Sequence, residues 1–201
     1  MALYALLDFD TLQKYGVSIE EFCKTAKGLK AKILQYRDKN SSLEEKKKRL
    51  FEIKKYWKKT LIINDTVELL PYCDGIHIGQ EDLEKLSADM KISKKEVIEF
   101  LRQNGKKVGL STHNKEEILE ANKFPLSYIG LGAYRPTFTK NTSNILGQKV
   151  INLIKYSYHP VAVIGGVKIY DKIPSKFKVV GSDICRLTSI RLKKKRIFKT
   201  K

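Results

Sequence analysis

Short apolar runs rich in β-branched residues recur along the whole 201-residue chain. Several of these runs are continuously hydrophobic, which is expected of parallel strands that are buried on both faces. The pattern predicts strands at residues 3–8, 31–37, 60–65, 75–79, 107–112, 128–132, 161–166 and 183–188. Parallel strands need long crossover connections, so helices are expected between them.

Segments of helical period do separate most of these strands. Helices are predicted at 18–28, 42–57, 93–104, 114–122 and 144–157, with a turn or two at 67–73 and a short segment at 169–178 that Pro174 interrupts. Ser42 and Glu45 have the spacing of a capping box at a helix start. The strand–helix alternation favours an α/β fold of the compact (β/α)8 TIM-barrel type over a doubly wound open sheet, whose dinucleotide fingerprint is incomplete at 130–135.

Positive charge is the strongest bias in the composition. Lys and Arg number 40 against 22 Asp and Glu, a formal charge of +18, while 42% of the residues are hydrophobic, as in a globular protein. Residues 191–201 hold seven basic residues and no acid. We therefore assign 1–190 to a single barrel domain with a shortened C-terminal helix, and 191–201 to a basic tail. The charge attracts anions, but alone it does not distinguish nucleic acid, acidic lipid or phosphorylated substrates.

The composition also bears on the compartment. No stretch approaches the roughly 18 apolar residues of a membrane span, and the apolar N-terminus is too short and too acidic for a signal peptide. Cys23, Cys73 and Cys185 are odd in number and lack CxxC spacing, which favours reduced core thiols over disulfides or metal ligands. We expect a cytoplasmic protein without a membrane partner, and a homodimer stays open.

Polar side chains concentrate at the carboxyl ends of the predicted strands, which form the active-site face of a barrel. Asp65 and Asp82 follow adjacent strands and are hard oxygen ligands of the kind that Mg²⁺ takes beside waters and substrate phosphates. Cations and hydroxyls suited to a polyphosphate are Arg37, Lys39, Thr137, Thr139 and Lys140. Gly165-Gly166, with backbone N–H groups after the eighth strand, suits a phosphate. Two anion sites, one with metal, imply two phosphorylated substrates, or one diphosphate and one monophosphate.

Seven segments carry a family resemblance, at 34–39, 61–65, 74–83, 108–117, 128–140, 161–167 and 183–190. The most specific are DGIHIGQEDL at 74–83 and the P-T-x-T-K run at 136–140. In this order, and over nearly the whole chain, they resemble the thiamine-phosphate synthase family and its thiazole tautomerase relatives. That resemblance implies a compact (β/α)8 barrel and a Mg²⁺-dependent transferase.

The resemblance implies a dissociative substitution. The substrate 4-amino-5-hydroxymethyl-2-methylpyrimidine diphosphate loses pyrophosphate, and the nitrogen of 4-methyl-5-hydroxyethylthiazole phosphate captures the pyrimidine methyl cation to give thiamine phosphate. Asp65 and Asp82 match the Mg²⁺ ligands. Matching substrate contacts are Gln35, Arg37, Lys39, Asn64, Ser111, Thr137, Thr139, Lys140, Gly166, Leu187 and Thr188. We expect catalysis to depend on Arg37, Lys39, Lys140 and Ser111, with electrostatic stabilisation of the leaving anion and proximity but no nucleophile and no obligatory general base.

Two residues near the sixth strand depart from the family pattern. Ala133 stands where proline is usual, and Arg135 stands where a small or apolar residue is usual. Arg135 is expected either to add a phosphate contact or to alter the pyrimidine pocket.

Two other functions remain open. A thiazole tautomerase uses a histidine at the position of His113 as acid and base, a role that suits imidazole near neutral pH. Synthases also carry a histidine there, so His113 does not discriminate between the two reactions. Because the tautomerase reaction needs no metal–diphosphate site, the paired aspartates and Lys140 favour the synthase. The second alternative is a non-enzymatic anion-binding protein; a nucleic-acid partner is not expected, since no helix-turn-helix, zinc-finger or RNA-binding aromatic signature occurs.

Overall fold

The computed structural model describes residues 1–136 and 145–199. The strands within these ranges are all parallel, and β1 pairs with both β2 and β8, so that the sheet closes. They are Ala2–Asp8 (β1), Ile33–Arg37 (β2), Thr60–Asn64 (β3), Gly75–Ile78 (β4), Lys107–Thr112 (β5), Tyr128–Leu131 (β6), Val161–Val163 (β7) and Phe177–Val180 (β8). The predicted (β/α)8 barrel is confirmed.

Helices surround this barrel. They are Phe9–Tyr15 (α1), Ile19–Gly28 (α2), Leu43–Tyr56 (α3), Gln80–Met90 (α4), Lys94–Leu101 (α5), Lys115–Ala121 (α6), Lys149–Ile154 (α7) and Ser182–Lys199 (α8), with 3₁₀ turns at Val67–Tyr72 and Gln103–Gly105. Neither α1 nor α4 was predicted, because each begins almost directly after its strand, and the first turn of α4 is polar like a loop. Among the helices described, none combines the length and the apolar character that crossing a bilayer requires.

Local capping sets several of the helix starts. At α3, Ser42 Oγ accepts a bond of 3.3 Å from the Glu45 N–H, and the Ser42 N–H donates to Glu45 Oε2 at 3.1 Å. Ser18 and Ser93 begin α2 and α5 with the same reciprocal pattern. The capping box predicted at residue 42 is confirmed, and a cap of this kind stabilises a helix by about 1 kcal/mol.

Two hydrophobic layers hold the fold together. Inside the barrel, Tyr4, Leu6 and Tyr128 pack with inward-facing side chains of other strands. Outside it, Ala5 and Leu7 belong to the larger core between the strands and the helices. Because the side chains of a strand alternate between these two buried faces, almost every position of β1 is apolar.

The cysteines belong to this core. Cys23, Cys73 and Cys185 are all buried and unpaired, as predicted for core thiols. Burial raises the pKa of each thiol to about 12, so the thiols stay protonated at neutral pH.

The C-terminal region corrects the sequence analysis. The strand predicted at 183–188 is wrong, because β8 ends at Val180 and α8 begins at Ser182. Ile184, Cys185 and Thr188 are buried at helical spacing, a pattern that a short run shares with a strand.

The length of α8 corrects a second prediction. The C-terminal helix is not shortened: α8 has 18 residues and continues without a break across residue 190, where a basic tail was expected to begin. The segment predicted as a short helix at 169–178 is also wrong, since no helix is assigned there and its last residues open β8.

Candidate active site

A cavity of about 200 Å³ lies at the carboxyl ends of the strands. It is lined by the predicted site residues Gln35, Arg37, Lys39, Asn64, Asp65, Asp82, Ser111 and Gly166. Three other predicted residues, Thr137, Thr139 and Lys140, lie outside the described residues. The closed barrel therefore brings together side chains from β2 to β5 and the loop after β7.

Two carboxylates, Asp65 after β3 and Asp82 after β4, line the cavity. Asp65 follows β3 with a φ of 56°, and its Oδ1 accepts a bond of 3.2 Å from the Gly79 N–H. The Asn64 amide donates to the other Asp65 oxygen. Asp82 lies in the first turn of α4, where a Cβ placed on Gly79 would be 2.8 Å from Asp82 Oδ2. The absence of a side chain at Gly79 thus leaves room for the second carboxylate.

Electrostatics at this pair suit a cation. Burial, followed by the charge of Asp82, raises the pKa of Asp65 above its ordinary value. Two like charges held together in this way would be relieved by a divalent ion, and Mg²⁺ commonly takes one or two carboxylates beside substrate phosphates. Across the described ranges, no group of three or more His, Cys, Asp or Glu side chains forms a metal cluster. Two carboxylates supply only part of the six ligands of Mg²⁺, so a magnesium ion held by Asp65 and Asp82 would share its coordination with water or substrate.

The predicted cations differ in how they are held. Arg37 ends β2, and its guanidinium donates to Asp8, the last residue of β1. Asp8 also accepts a bond of 3.0 Å from the Thr11 N–H and so caps α1. Lys39 is exposed at the cavity, and its charge acts against the rise in the pKa of Asp65. Asp8 was not among the predicted site residues, although its position beside Arg37 at the ends of adjacent strands was a usable signal.

Five side chains form a hydrogen-bond chain below the cavity. Gln35 Nε2 donates to the Tyr4 hydroxyl at 2.8 Å, and the Tyr4 and Tyr128 hydroxyls are 2.8 Å apart. His77 Nδ1 lies 3.1 Å from the Tyr128 hydroxyl, and His77 Nε2 lies 3.0 Å from Ser111 Oγ. The chain joins two predicted substrate contacts, Gln35 and Ser111, through the barrel interior.

Donor counting gives this chain a direction. Burial raises the pKa of Tyr4 and of Tyr128, so both hydroxyls keep their protons at neutral pH. The order in which each buried hydroxyl proton has an acceptor runs from Tyr4 to Tyr128 and from Tyr128 to His77 Nδ1. In neutral His77 the ring proton is then on Nε2 and is donated to Ser111. This order leaves the Ser111 proton available to the cavity.

His113 lies at the rim of the same cavity, directly after β5. Its ring Nδ1 is 2.9 Å from Glu117 Oε2, and its backbone N–H donates to the same oxygen at 2.9 Å. Asn114 caps α6 by accepting a bond of 2.8 Å from the Glu117 N–H. The imidazole is thus held in place by a carboxylate one helical turn away.

The loop after β7 is shaped by two glycines. Gly165 has a φ of 89° and Gly166 a φ of 63°, values that side-chain-bearing residues rarely adopt. A Cβ on Gly165 would lie 2.7 Å from the Ala133 Cα, and one on Gly166 would lie 2.7 Å from the Arg135 Cβ. The glycines therefore allow this loop to pack directly against residues 133–135 after β6.

Backbone bonds between these two segments orient the loop. The N–H groups of Tyr134 and Arg135 donate to the carbonyls of Ile164 and Gly165, both at 2.9 Å. In a planar trans peptide, the N–H points opposite to the C=O. The N–H groups of Gly165 and Gly166 therefore point away from the β6 segment, and within the described part of the chain neither has a backbone acceptor. Such a pair of amides is suited to an anion.

The beginning of α8 lies beside this loop. Gly181 and Ser182 line the cavity, and Ser182 is the first residue of the helix. The first-turn N–H groups of an α-helix lack acceptors within the helix and carry the positive end of its dipole. The cavity therefore has backbone donors from two elements on one side, which is where barrels frequently bind a phosphate.

Two predicted contacts are not at this site. Leu187 and Thr188 lie within α8 and do not line the cavity, and Thr188 Oγ1 is 2.9 Å from Thr25 Oγ1 on α2. The prediction that they end a strand at the phosphate site is wrong, because β8 ends at Val180. The signal for the correct position was the pair of valines before glycine and serine at 179–182.

Comparisons with known proteins identify a family and a fold that this chain resembles. The family model described as thiamine monophosphate synthase matches residues 10–173. A thiamine-phosphate synthase of Persephonella marina is 32% identical over 173 residues, which cover 83% of this chain and 77% of the relative. One from Dictyoglomus turgidum is 34% identical over 179 residues, covering 83% and 76%.

A solved structure resembles the fold. The thiamine phosphate pyrophosphorylase of Pyrococcus furiosus superposes with a TM-score of 0.68 at 20% sequence identity. The match covers 95% of this chain and 96% of that protein, so the similarity extends over the whole barrel.

Proposed function

Because the chain belongs to the thiamine monophosphate synthase family, we propose that it catalyses the Mg²⁺-dependent joining of the pyrimidine diphosphate and the thiazole phosphate to thiamine phosphate. One observation carries the proposal. The carboxylates of Asp65 and Asp82 and the glycine loop at Gly165 and Gly166 line one cavity, so a diphosphate and a monophosphate can be bound side by side.

The leaving group is the first requirement. The C–O bond of the pyrimidine diphosphate breaks, and its electron pair leaves with pyrophosphate. Asp65 and Asp82 would hold Mg²⁺, which when bound neutralises charge on the diphosphate oxygens. Arg37 and Lys39 supply further positive charge at this edge, and Asp8 restrains the Arg37 guanidinium before the substrate arrives. Lys140 joins this group of cations in the proposal because of the family resemblance.

The pyrimidine ring is the second requirement. Gln35 and Ser111 present polar groups to the cavity from opposite ends of the hydrogen-bond chain through Tyr4, Tyr128 and His77. Because each member of the chain has a partner, the two end groups are held in one orientation. We propose that they bind the polar edge of the pyrimidine and keep its methylene carbon facing the acceptor.

The acceptor is the third requirement. The N–H groups of Gly165 and Gly166, together with the start of α8 at Ser182, are proposed to bind the phosphate of the thiazole. This anchors the ring so that the lone pair of its nitrogen forms the new C–N bond to the pyrimidine methylene carbon. Positioning of this kind converts a bimolecular step into an effectively unimolecular one. No proton transfer to or from the protein is needed for the bond exchange.

The test is a two-substrate assay of the purified chain with Mg²⁺ and with excess EDTA. We expect thiamine phosphate and pyrophosphate in equal amounts with Mg²⁺, and loss of product with the chelator. Substrate consumption without thiamine phosphate in the presence of Mg²⁺ would contradict the proposal.

The thiazole tautomerase remains a second candidate because His113 lines the cavity and is held by Glu117. In that case, the chain would isomerise a thiazole carboxylate phosphate with EDTA present, and His113→Gln would abolish the isomerisation. A synthase would instead retain part of its activity in His113→Gln, since no general base is required.

A further inference from the structure

We propose that Arg135 and Asp171 act as a positioning pair that orients the phosphate-binding loop after β7. The inference rests on the proposed function, and it adds a role for an arginine that replaces the small or apolar residue usual in the family. The two residues come from different segments, one after β6 and one between β7 and β8. They meet directly beside the glycine loop.

The contacts of Arg135 form a fork. Its Nη1 and Nη2 donate to the two oxygens of Asp171 at 2.5 and 2.9 Å. Nη1 also donates to the Gly166 carbonyl at 3.2 Å. Asp171 in turn accepts a bond of 2.7 Å from the Lys168 N–H. The pair therefore contacts the loop at two points, on both sides of Val167.

The bond to the Gly166 carbonyl has a directional consequence. The backbone N–H groups of residues 134 and 135 already donate to the carbonyls of residues 164 and 165. The Arg135 side chain donates to the next carbonyl along the loop, that of Gly166, which belongs to the peptide that links Gly166 to Val167. Since the N–H of a trans peptide points opposite to its C=O, this bond turns the Val167 N–H in the same direction as those of the two glycines. Arg135 thus extends a two-amide anion site to three amides.

The alternative role for Arg135, direct contact with a phosphate, fits the geometry less well. The Arg135 side chain is 40% exposed, but both terminal nitrogens of its guanidinium are engaged by Asp171, whose side chain is 8% exposed. The hydrogen bond from Arg135 lowers the pKa of Asp171, so the pair stays charged through neutral pH. The positive charge of Arg135 is therefore largely compensated by Asp171. Its contribution to the site is the hydrogen bond that it donates to the Gly166 carbonyl.

Arg135→Met removes every polar contact but keeps much of the side-chain volume. We expect KM for the thiazole phosphate to rise roughly tenfold, the scale of one lost hydrogen bond to an anion. KM for the pyrimidine diphosphate should change less than twofold, as should kcat. Lys94→Met is the matched control, because it removes an ion pair of 2.9 Å to Glu84 on the outer helices. An equal change in both Michaelis constants, or the same change in the control, would overturn the positioning role.

Asp171→Asn separates positioning from direct contact. It frees the guanidinium and removes a negative charge near the site, so direct contact predicts phosphate binding that is unchanged or tighter. Positioning predicts weaker binding, with Arg135→Lys also weakened because an ammonium cannot hold a carboxylate and a carbonyl in the same fork. Tighter binding in Asp171→Asn, or full rescue by Arg135→Lys, would refute the pair.

A binding measurement keeps this inference separate from the proposed function. Inorganic phosphate is titrated into the isotopically labelled full chain, and the amide proton shifts of Gly165, Gly166 and Val167 are followed. We expect all three amides to shift in the unmodified chain and the Val167 shift to be lost in Arg135→Met. Identical shifts in the two proteins would overturn the inference even if thiamine phosphate is made. Loss of the Val167 shift would support it even if the synthase assay fails.

Discussion

The two halves of the cavity are built from different parts of the chain. The half at β2 to β5 presents side chains, with the Asp65 and Asp82 carboxylates and the Arg37 and Lys39 cations at its edge. The half at β6 to β8 presents mainly backbone, namely the loop at 164–167 and the beginning of α8. Charged side chains can be recognised in a sequence wherever they lie. A backbone donor has no residue identity of its own, so its position depends on where a strand ends.

The halves also differ in how their charge is balanced. At the carboxylate pair, burial and the charge of Asp82 raise the pKa of Asp65, and the charge of Lys39 offsets this rise only in part. At the loop, the Arg135 and Asp171 charges compensate each other in the free protein. A divalent cation at the first half would relieve this repulsion, whereas the paired charges of the second half hold the loop without a ligand.

Among the changes that test this comparison, Asp65→Asn should have the largest effect on activity. Asparagine tolerates the positive φ of residue 65 and keeps the backbone in place, but it lacks the charge that a divalent cation requires. We expect kcat/KM to fall by about a hundredfold or more, with the Mg²⁺ concentration for half-maximal activity raised. Steady-state kinetics over a Mg²⁺ series measure both quantities.

Asp89→Asn is the control for that change, since Asp89 is an exposed residue on α4, about two helical turns beyond Asp82, and does not line the cavity. It should leave the kinetics unchanged. Normal turnover in Asp65→Asn would contradict a metal ion in this half of the cavity.

Gly166→Ala should have the next largest effect. A methyl group at a φ of 63° is strained, and it would lie 2.7 Å from the Arg135 Cβ, so the loop must shift. We expect KM for the thiazole phosphate to rise by about tenfold or more, as strain of about 1–3 kcal/mol implies.

Gly16→Ala separates strain from displacement. Gly16 has a φ of 60° at the end of α1, and a Cβ there meets nothing within 4 Å. This variant should lose about 1 kcal/mol of stability in thermal or chemical unfolding while both Michaelis constants stay the same. An equal kinetic effect in both variants would show that the glycine loop is not a binding element.

A pair of changes in α8 tests where the phosphate half ends. Ser182→Asp places a negative charge at the helix start and should raise KM for the thiazole phosphate roughly fivefold, from about 1 kcal/mol of repulsion. Thr188→Val removes a buried hydroxyl that lies 2.9 Å from Thr25 Oγ1 and should cost about 1 kcal/mol of stability without a change in KM. A higher KM in Thr188→Val, together with an unchanged KM in Ser182→Asp, would show that Thr188 and not Ser182 belongs to the phosphate site.

The smallest effect is expected from deleting residues 193–201. Lys193 and Lys194 are exposed on α8 and do not line the cavity. We expect kcat and both Michaelis constants to change less than twofold, with a lower unfolding temperature because α8 loses its last turns. A large rise in a Michaelis constant for either phosphorylated substrate would assign the basic end to substrate attraction.

The fold was predictable because its strongest signals are local and repeated. Apolar runs that are buried on both faces, separated by capped helices such as the one that begins after Ser42, led to a barrel without any knowledge of contacts. The misplaced elements lie where a short pattern suits two structures. Residues 184–188 fit either a strand or a helix, and only packing of α8 against α1 and α2 decides between them.

The sequence by itself determined which charged side chains lie in the half of the cavity at β2 to β5, because Asp65, Asp82 and Arg37 stand at the ends of clearly patterned strands and their charges are visible in the letters. Only the tertiary structure decided how the half at β6 to β8 is built. The direction of an N–H group, the end of β8 and the meeting of Arg135 with Asp171 all depend on how distant segments close around the barrel. Long-range closure selects among local conformations of similar energy, and no local pattern contains that selection.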